Sequence, residues 1–405
     1  MPSPVPFVEI VRSGFVEGHH HGSLVVLDPD GSIDWSVGDV TSPMLPRSCN
    51  KPLQAHAMVE HGLDLPPDLL ALACASHSGE AFHLEGVRRI LASVGLDETA
   101  LGNIPDYPLD ETARHAMIRA GEPESRIAMN CSGKHAAMLA TCVANGWPLE
   151  GYLDPAHPLQ EAITATYTRM TGEPTTIAVD GCGAPLLSAS LVGLARAFAT
   201  LATATTGPAA RIADAIRRHP ENVSGTTRDE LALLRAVPGA IGKGGAESVY
   251  AVALPDGRAY ALKTDDGAGR ARPVVMAAAL AKDGVDTRDG VDTEAVRATG
   301  VQTVYGGGRP VGELRALQGA RAGRDRLVAP LVLVLLVLAA GLAHLVGRTG
   351  ALLLAVFSVL WILVNGPMEG PVLLSFGAGH GLTGADLAGV AGMALAAYVW
   401  VTSRR

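Results

Sequence analysis

Apolar positions in the first three quarters of the chain recur in two rhythms, every second residue or every third and fourth. Residues 9–16 read as a first strand. Residues 23–27 and 32–37 flank Asp28-Pro29-Asp30-Gly31 and predict a hairpin, with glycine supplying the positive φ. Helical spacing then dominates, over residues 52–61, 82–94, 109–120, 134–145, 158–171, 184–200, 209–218 and 228–237. Residues 69–74 form a short apolar run that ends in the polar loop Ala75-Ser76-His77-Ser78-Gly79-Glu80. A second hairpin is predicted from residues 248–254 and 258–264 around Pro255-Asp256-Gly257, then a helix over 272–282 and a last strand at 301–304. Hairpins at both ends with helices between predict an α/β protein of the α+β kind. One antiparallel sheet takes its strands from both ends, a helical subdomain is inserted, and the cleft between them is the place for a site.

The rhythm stops near residue 319. A short arginine-rich linker, 319–326, leads into three almost uninterrupted apolar stretches at 327–346, 350–364 and 385–402. The first has about the length a bilayer crossing needs. The expected organisation is therefore a catalytic domain over 1–318, the linker, and a membrane module over 327–405 with about three transmembrane helices. Arg321, Arg324 and Arg326 favour a cytoplasmic start for the first crossing, while Arg348, Arg404 and Arg405 count against three crossings and leave two as the alternative.

Charge and cysteines sharpen this. The net charge is −8, and six arginines against three carboxylates from Gly319 onward leave −11 on the first 318 residues. An acidic body excludes nucleic acid as a partner. The five cysteines, Cys49, Cys74, Cys131, Cys142 and Cys182, are odd in number and widely spaced. They fit free or metal-bound thiols in a reducing compartment. Residues 1–14 show no secretory pattern, so the catalytic domain is expected on the cytoplasmic side of a multi-pass membrane protein.

Candidate chemistry centres on Ser48-Cys49-Asn50-Lys51. A serine three residues before a lysine at a helix start puts both side chains on one face, and an amine with a lowered pKa can take a serine proton. Only five of the 32 lysines and arginines are lysine: Lys51, Lys134, Lys243, Lys263 and Lys282. Arginine stays protonated, so in such a chain a retained lysine is a candidate for a group that must lose its proton. Lys243 reads as part of a flexible glycine-rich turn and Lys282 as a helix-end residue. Lys263, near the end of a strand lining the cleft, offers a second couple with Ser76. Cys131 and Cys182 each sit in a sharp turn expected at a helix N-terminus, where a thiol's pKa falls; two thiolates begin a zinc site, and two small buried cysteines are the alternative. In Gly18-His19-His20-His21-Gly22 neighbours alternate sides, which singles out His20.

These residues together resemble the bacterial asparaginase II family, whose fold is like that of serine β-lactamases and glutaminases. The resemblance rests on Glu17 with His20 and Gly22, Pro46-Arg47-Ser48 with Lys51-Pro52-Leu53-Gln54, and Ser76-His77-Ser78-Gly79-Glu80. It continues through Asn130-Cys131-Ser132-Gly133-Lys134-His135, Asp180-Gly181-Cys182-Gly183-Ala184-Pro185, and Lys263 before Asp266-Gly267. It covers about residues 7–317; the stretch from Gly319 lies outside it. It implies hydrolysis of L-asparagine to L-aspartate and ammonia by two Ser–Lys couples, Ser48 with Lys51 and Ser76 with Lys263. It implies a zinc held by Cys131, Lys134 and Cys182 and supported by Asp180, with His20, Glu17, His135 and Arg47 as substrate contacts or supports. Gly18, where the family usually has serine, and Cys49, where a small residue is expected, are departures. The partners expected are L-asparagine, a lipid bilayer and a second copy of the chain in a homodimer. The alternatives are a penicillin-binding or β-lactamase-like serine hydrolase and a membrane sensor that binds amino acids without turnover. Against the first, Lys263-Thr264-Asp265 lacks the glycine of Lys-Thr-Gly.

Overall fold

The computed structural model describes residues 5–317, 325–364, 372–377 and 380–403. They fall into two compact units, Met1–Gln318 and Gly319–Arg405.

In the first unit β1 (Val5–Arg12) turns at Ser13 and Gly14 into β2 (Phe15–Leu27). Ser13 and Gly14 have φ of 49° and 81°, the two consecutive left-handed residues that a tight hairpin needs. The expected strand at 9–16 is thus the end of one strand and the start of the next. β2 is 13 residues long and organises the sheet. Its first part pairs with β1, from Phe15 opposite Arg12 to Gly22 opposite Val5. Its last part, Leu24 to Leu27, is flanked by β3 (Ile33–Val37) on one side and by β8 on the other.

The remaining strands are β4 (Ile177–Val179), β5 (Pro185–Leu187), β6 (Ile241–Gly244), β7 (Val249–Ala253), β8 (Ala259–Thr264), β9 (Thr303–Gly306) and β10 (Arg309–Ala316). The eight-stranded sheet runs β6-β7-β8-β2-β1-β10-β9, with β3 also on β2 and every pair antiparallel. β4 and β5 form a separate small hairpin.

Between β3 and β6 the chain forms α1 (Lys51–Glu60), α2 (Pro67–Ala73), α3 (Ala81–Ala92), α4 (Glu111–Arg119), α5 (Ser132–Asn145), α6 (Pro158–Thr171), α7 (Leu191–Thr203), α8 (Gly207–Arg218), α9 (Pro220–Val223) and α10 (Asp229–Ala236). α11 (Ala271–Lys282) and α12 (Thr293–Thr299) follow β8. The sheet therefore draws on both ends of the unit and the helices are inserted, as the hydrophobic rhythm predicts. All five residues of β7 are buried, so both faces of the sheet are covered there. α7 packs along β2, β7 and β8, and α11 along β1, β8 and β10.

Local chemistry explains the departures. The segment at 184–200 splits into β5 and α7 because Ser190 caps the helix, its Oγ accepting from Gly193 N at 2.9 Å. The run at 69–74 is helical and starts after Pro66-Pro67, proline being tolerated in a first turn. The strand at 301–304 is half of a hairpin that turns at Gly307 and Gly308, with φ of 56° and 75°.

The second unit holds α13 (Asp325–Val346), α14 (Arg348–Val364), the hairpin β11 (Val372–Gly377) with β12 (His380–Thr383), and α15 (Asp386–Thr402). It corrects the membrane expectation: among the described residues no helix is long and apolar enough to cross a membrane. α14 and α15 have 17 residues each. At ~1.5 Å per residue they reach about 26 Å, short of a hydrocarbon core of about 30 Å. The described side chains of α13 begin only at Val332. Part of the apolarity goes into packing the three helices on one another through Leu336, Ala343, Leu354, Trp361, Ala396 and Val399. Their outer faces still carry exposed apolar side chains such as Leu345 and Val401. The three transmembrane crossings, the bilayer partner and the membrane location with a cytoplasmic enzyme all fall with this finding. Arg348, which weighed in that topology, lies over the Trp400 ring at 5.5 Å. Residues 319–324 of the expected linker, with Arg321 and Arg324, and also Arg404 and Arg405, lie outside the described residues.

Candidate active site

Ser48 stands in a single 3-10 turn, Arg47–Asn50, that runs directly into α1. Three ties fix this turn. Cys49 Sγ donates to Lys243 O at 2.9 Å, Asn50 Nδ2 donates to Leu187 O at 2.8 Å, and Tyr167 Oη donates to Asn50 Oδ1 at 2.8 Å. The turn is thus held by β6, β5 and α6. Arg47 enters it with φ of 51°, a left-handed conformation that a non-glycine residue keeps only when its surroundings hold it. Its guanidinium provides part of that hold: Nε donates to Asp180 Oδ1 at 3.0 Å and Nη1 lies 3.6 Å from Glu247 Oε1.

Ser48, Ser76, Cys131, Asp180 and Cys182 line one cleft of about 470 Å³, with Arg47 and Arg228 on its walls. Ser76 lies in the loop after α2, and its Oγ donates to Asn130 Oδ1 at 3.1 Å. The same Oδ1 accepts from Cys131 Sγ at 3.1 Å, so Asn130 joins the second serine to the first cysteine. Cys131 immediately precedes α5, as expected. Cys182 does not open a helix: it lies in the hairpin turn between β4 and β5, where Gly183 has φ of 88° and its N donates to Asp180 O at 2.9 Å. Pro185, Leu186 and Leu187, all buried, pair back on β4 and so prevent a helix from starting there.

Two buried lysines meet the sulfurs. Lys51 Nζ donates to Cys131 Sγ at 3.0 Å, and Lys134 Nζ donates to Cys182 Sγ at 3.2 Å. The Cys131 hydrogen bond and the Lys134 charge, working against burial, hold Cys182 well below the ordinary thiol value. Cys131, the partner that keeps its proton, is raised by that same hydrogen bond and by burial. Burial alone would lower the Lys134 amine, but Cys182, Cys131 and Asp180 raise it instead. Ligand atoms of Cys131, Asp180 and Cys182 lie within 4.8 Å of one another. Two sulfurs, a carboxylate and an adjacent amine make a donor set that fits zinc.

The other expected residues are spread more widely. The lysine of neither couple is hydrogen-bonded to its serine: Lys51 turns to Cys131, and Lys263 Nζ donates to Glu247 O at 3.3 Å and Thr264 O at 3.2 Å. Burial lowers the Lys263 amine. His20 is buried while His19 and His21 are exposed, the alternation a strand imposes. Its Nδ1 lies 2.6 Å from Asp266 Oδ2 and its Nε2 accepts from Arg270 Nε at 3.0 Å, away from the cleft lining. Glu17 is exposed and paired with Arg12 at 3.0 Å, so the structure does not bring it to the cleft. His135 lies behind the sulfurs, its Nδ1 2.7 Å from Tyr152 Oη, and burial lowers its pKa to about 4. Arg228, Gly245 and Glu247 were not singled out by the sequence. Lys243, read there as part of a loose turn, is fully buried in β6 with Nζ 2.7 Å from Glu230 Oε1.

A sequence model described as L-asparaginase II matches residues 8–316, well over half the chain and every residue of the cleft. The chain belongs to the L-asparaginase II family. Helices α13–α15 lie beyond the family segment. No curated protein matches. Among solved structures, a β-lactamase from Mycobacterium bovis is similar at 16% identity, over 64% of this chain and 94% of that one, with a TM-score of 0.32. EstCE1, a hydrolase with promiscuous acyltransferase activity, is similar at 12% identity, over 62% and 91%, with a TM-score of 0.34. A Bacillus glutaminase is similar at 13% identity, over 60% and 83%, with a TM-score of 0.22. TM-scores this low leave the fold to be argued from the sheet itself.

Proposed function

We propose that this member of the L-asparaginase II family is an amidohydrolase that converts L-asparagine to L-aspartate and ammonia, with Ser48 as nucleophile. The observation that carries the reading is the convergence of Ser48, Ser76 and the Cys131–Cys182 pair on one cleft inside the family segment. Ser48 Oγ attacks the side-chain amide carbon, and its proton passes to Lys51 once that amine turns from Cys131. The tetrahedral adduct collapses with transfer of a proton to the departing nitrogen, so that ammonia leaves and an ester remains on Ser48. Water then cleaves the ester, and Ser48 recovers its proton. Ser76, held by Asn130, orients the substrate, and Lys263, near the end of β8, would partner it only after leaving Glu247 O and Thr264 O. We assign the unit to the serine β-lactamase and glutaminase-like group of folds, on the antiparallel sheet with its helical insertion.

Zinc would be held by Cys131, Lys134 and Cys182, with Asp180 alongside and tied to Arg47. When bound it supplies a fixed positive charge beside the substrate and favours the neutral, ligating form of the lysine. Cys131 contacts both Asn130 and Lys51, so the sulfur pocket positions both serines' partners.

A substrate panel tests the reading. The full chain should release ammonia from L-asparagine and leave a chromogenic β-lactam intact. Rapid opening of the β-lactam without ammonia release from L-asparagine or L-glutamine would replace this reading with a β-lactamase-like one.

A further inference from the structure

We infer that Arg228 is the residue that selects substrates carrying a free α-carboxylate, by gripping that carboxylate in the cleft. The inference rests on the amidohydrolase reading above and adds a specificity residue to it.

Arg228 immediately precedes α10 and lines the cleft that holds Ser48 and Ser76. One of its hydrogen bonds is internal: Nη1 donates to Ser76 O at 2.8 Å. Its Nη2 lies 2.7 Å from Glu230 Oε2, which anchors the rear of the fork. A guanidinium has five N–H donors, so those contacts leave donors to spare in a side chain that is 22% exposed. The other arginine of the cleft, Arg47, is committed to Asp180 and Glu247.

The charge behind Arg228 points the same way. Glu230 is wholly buried and meets Arg228, Lys243 and Arg272, while Asp229 pairs with Arg272. Three cations face two carboxylates in this cluster, leaving one positive charge uncompensated. Of the five side chains only Arg228 lines the cleft, so the excess is presented there. Burial and the Arg228 charge lower the Lys243 pKa to about 8, although Glu230 works the other way. An anion entering the cleft relieves that excess. A planar guanidinium with donors free matches a carboxylate in two-point geometry.

The experiment compares L-asparagine with its α-amide, L-aspartic acid diamide, in the wild type, Arg228→Gln and Arg228→Lys, alongside calorimetric titration with L-aspartate. The wild type should favour L-asparagine. R228Q should lose about ten- to hundredfold in kcat/KM on L-asparagine, the worth of a charge-assisted hydrogen bond, with the diamide rate within about threefold of wild type. R228K keeps the charge without the fork and should fall between; it carries the test if R228Q does not fold. Equal losses on both substrates would mark Arg228 as a structural brace and overturn the inference, as would an unchanged rate on L-asparagine. The titration separates the two readings. Wild-type protein that binds L-aspartate but turns nothing over contradicts the amidohydrolase reading alone, and weaker L-aspartate binding by R228Q then still supports the carboxylate grip. Wild-type protein that turns over L-asparagine while R228Q binds L-aspartate equally well contradicts the grip alone.

Discussion

Lys51 Nζ donates to Cys131 Sγ at 3.0 Å, and this one contact ties the Ser48 turn to the two-sulfur pocket. The proposed base of the first couple and a proposed zinc ligand are therefore neighbours. Changing either should disturb both turnover and metal.

Ser48→Ala and Lys51→Met should thus separate in metal content. Both should lose ammonia release by about a hundredfold or more, the scale of a lost nucleophile or general base. S48A should keep its zinc, while K51M should bind zinc more weakly than wild type because Cys131 loses the Lys51 hydrogen bond and keeps that to Asn130. Cys182→Ala should lower zinc outright. Elemental analysis of the purified proteins decides this: wild type without zinc, or C182A with full zinc, would show the ligand set to be wrong.

Gly245→Ala probes the support of the nucleophile from the far side. A Cβ there would come within 2.7 Å of Pro46 O and 3.2 Å of Ser48 N, so the turn carrying Ser48 must shift. Displacing a reacting group by a fraction of an ångström should cut kcat by about tenfold or more while thermal unfolding changes little. An alanine variant with wild-type kcat would mean that the turn tolerates the shift.

Much of this site is legible in the sequence, because each catalytic candidate sits in a short local motif: Ser48 with Lys51, Cys131 beside Asn130, Cys182 beside Asp180. Lys243 and Arg228 are not legible. What distinguishes them is burial or cleft access around Glu230, and no spacing pattern records that. Glu17 and His20 are the reverse case. Both fall in a motif, yet β2 sends one to solvent and ties the other to Asp266 and Arg270. The sheet was readable because its hairpins are signalled by turn residues, whereas the start of β2 at Phe15 depends on the left-handed pair Ser13-Gly14. The C-terminal stretches misled through composition: apolar runs look alike whether they face lipid or pack as short helices, as Leu354 and Trp361 do.

Acid stability should report on His83. Burial lowers its pKa from 6.5 to about 4. Its Nδ1 accepts from Glu80 N at 3.2 Å, so it is held neutral as a cap for α3. The unfolded chain protonates near pH 6.5 while the fold resists until about pH 4, so the unfolded state binds more protons within that window. Stability should therefore fall as pH drops from 6.5 toward 4, by on the order of 3 kcal/mol from this residue. His83→Asn keeps an acceptor near the Nδ1 position and cannot titrate, so its urea-unfolding free energy should vary less over the window. An unchanged pH slope would show that His83 is not the titrating group.

Whether Ser48 is the nucleophile of an amidohydrolase is read from ammonia release from L-asparagine by purified wild type and Ser48→Ala under one set of conditions. Wild type should release ammonia steadily, and S48A should lose about a hundredfold or more with the fold retained. Ordinary turnover by folded S48A would show that Ser48 is not the nucleophile.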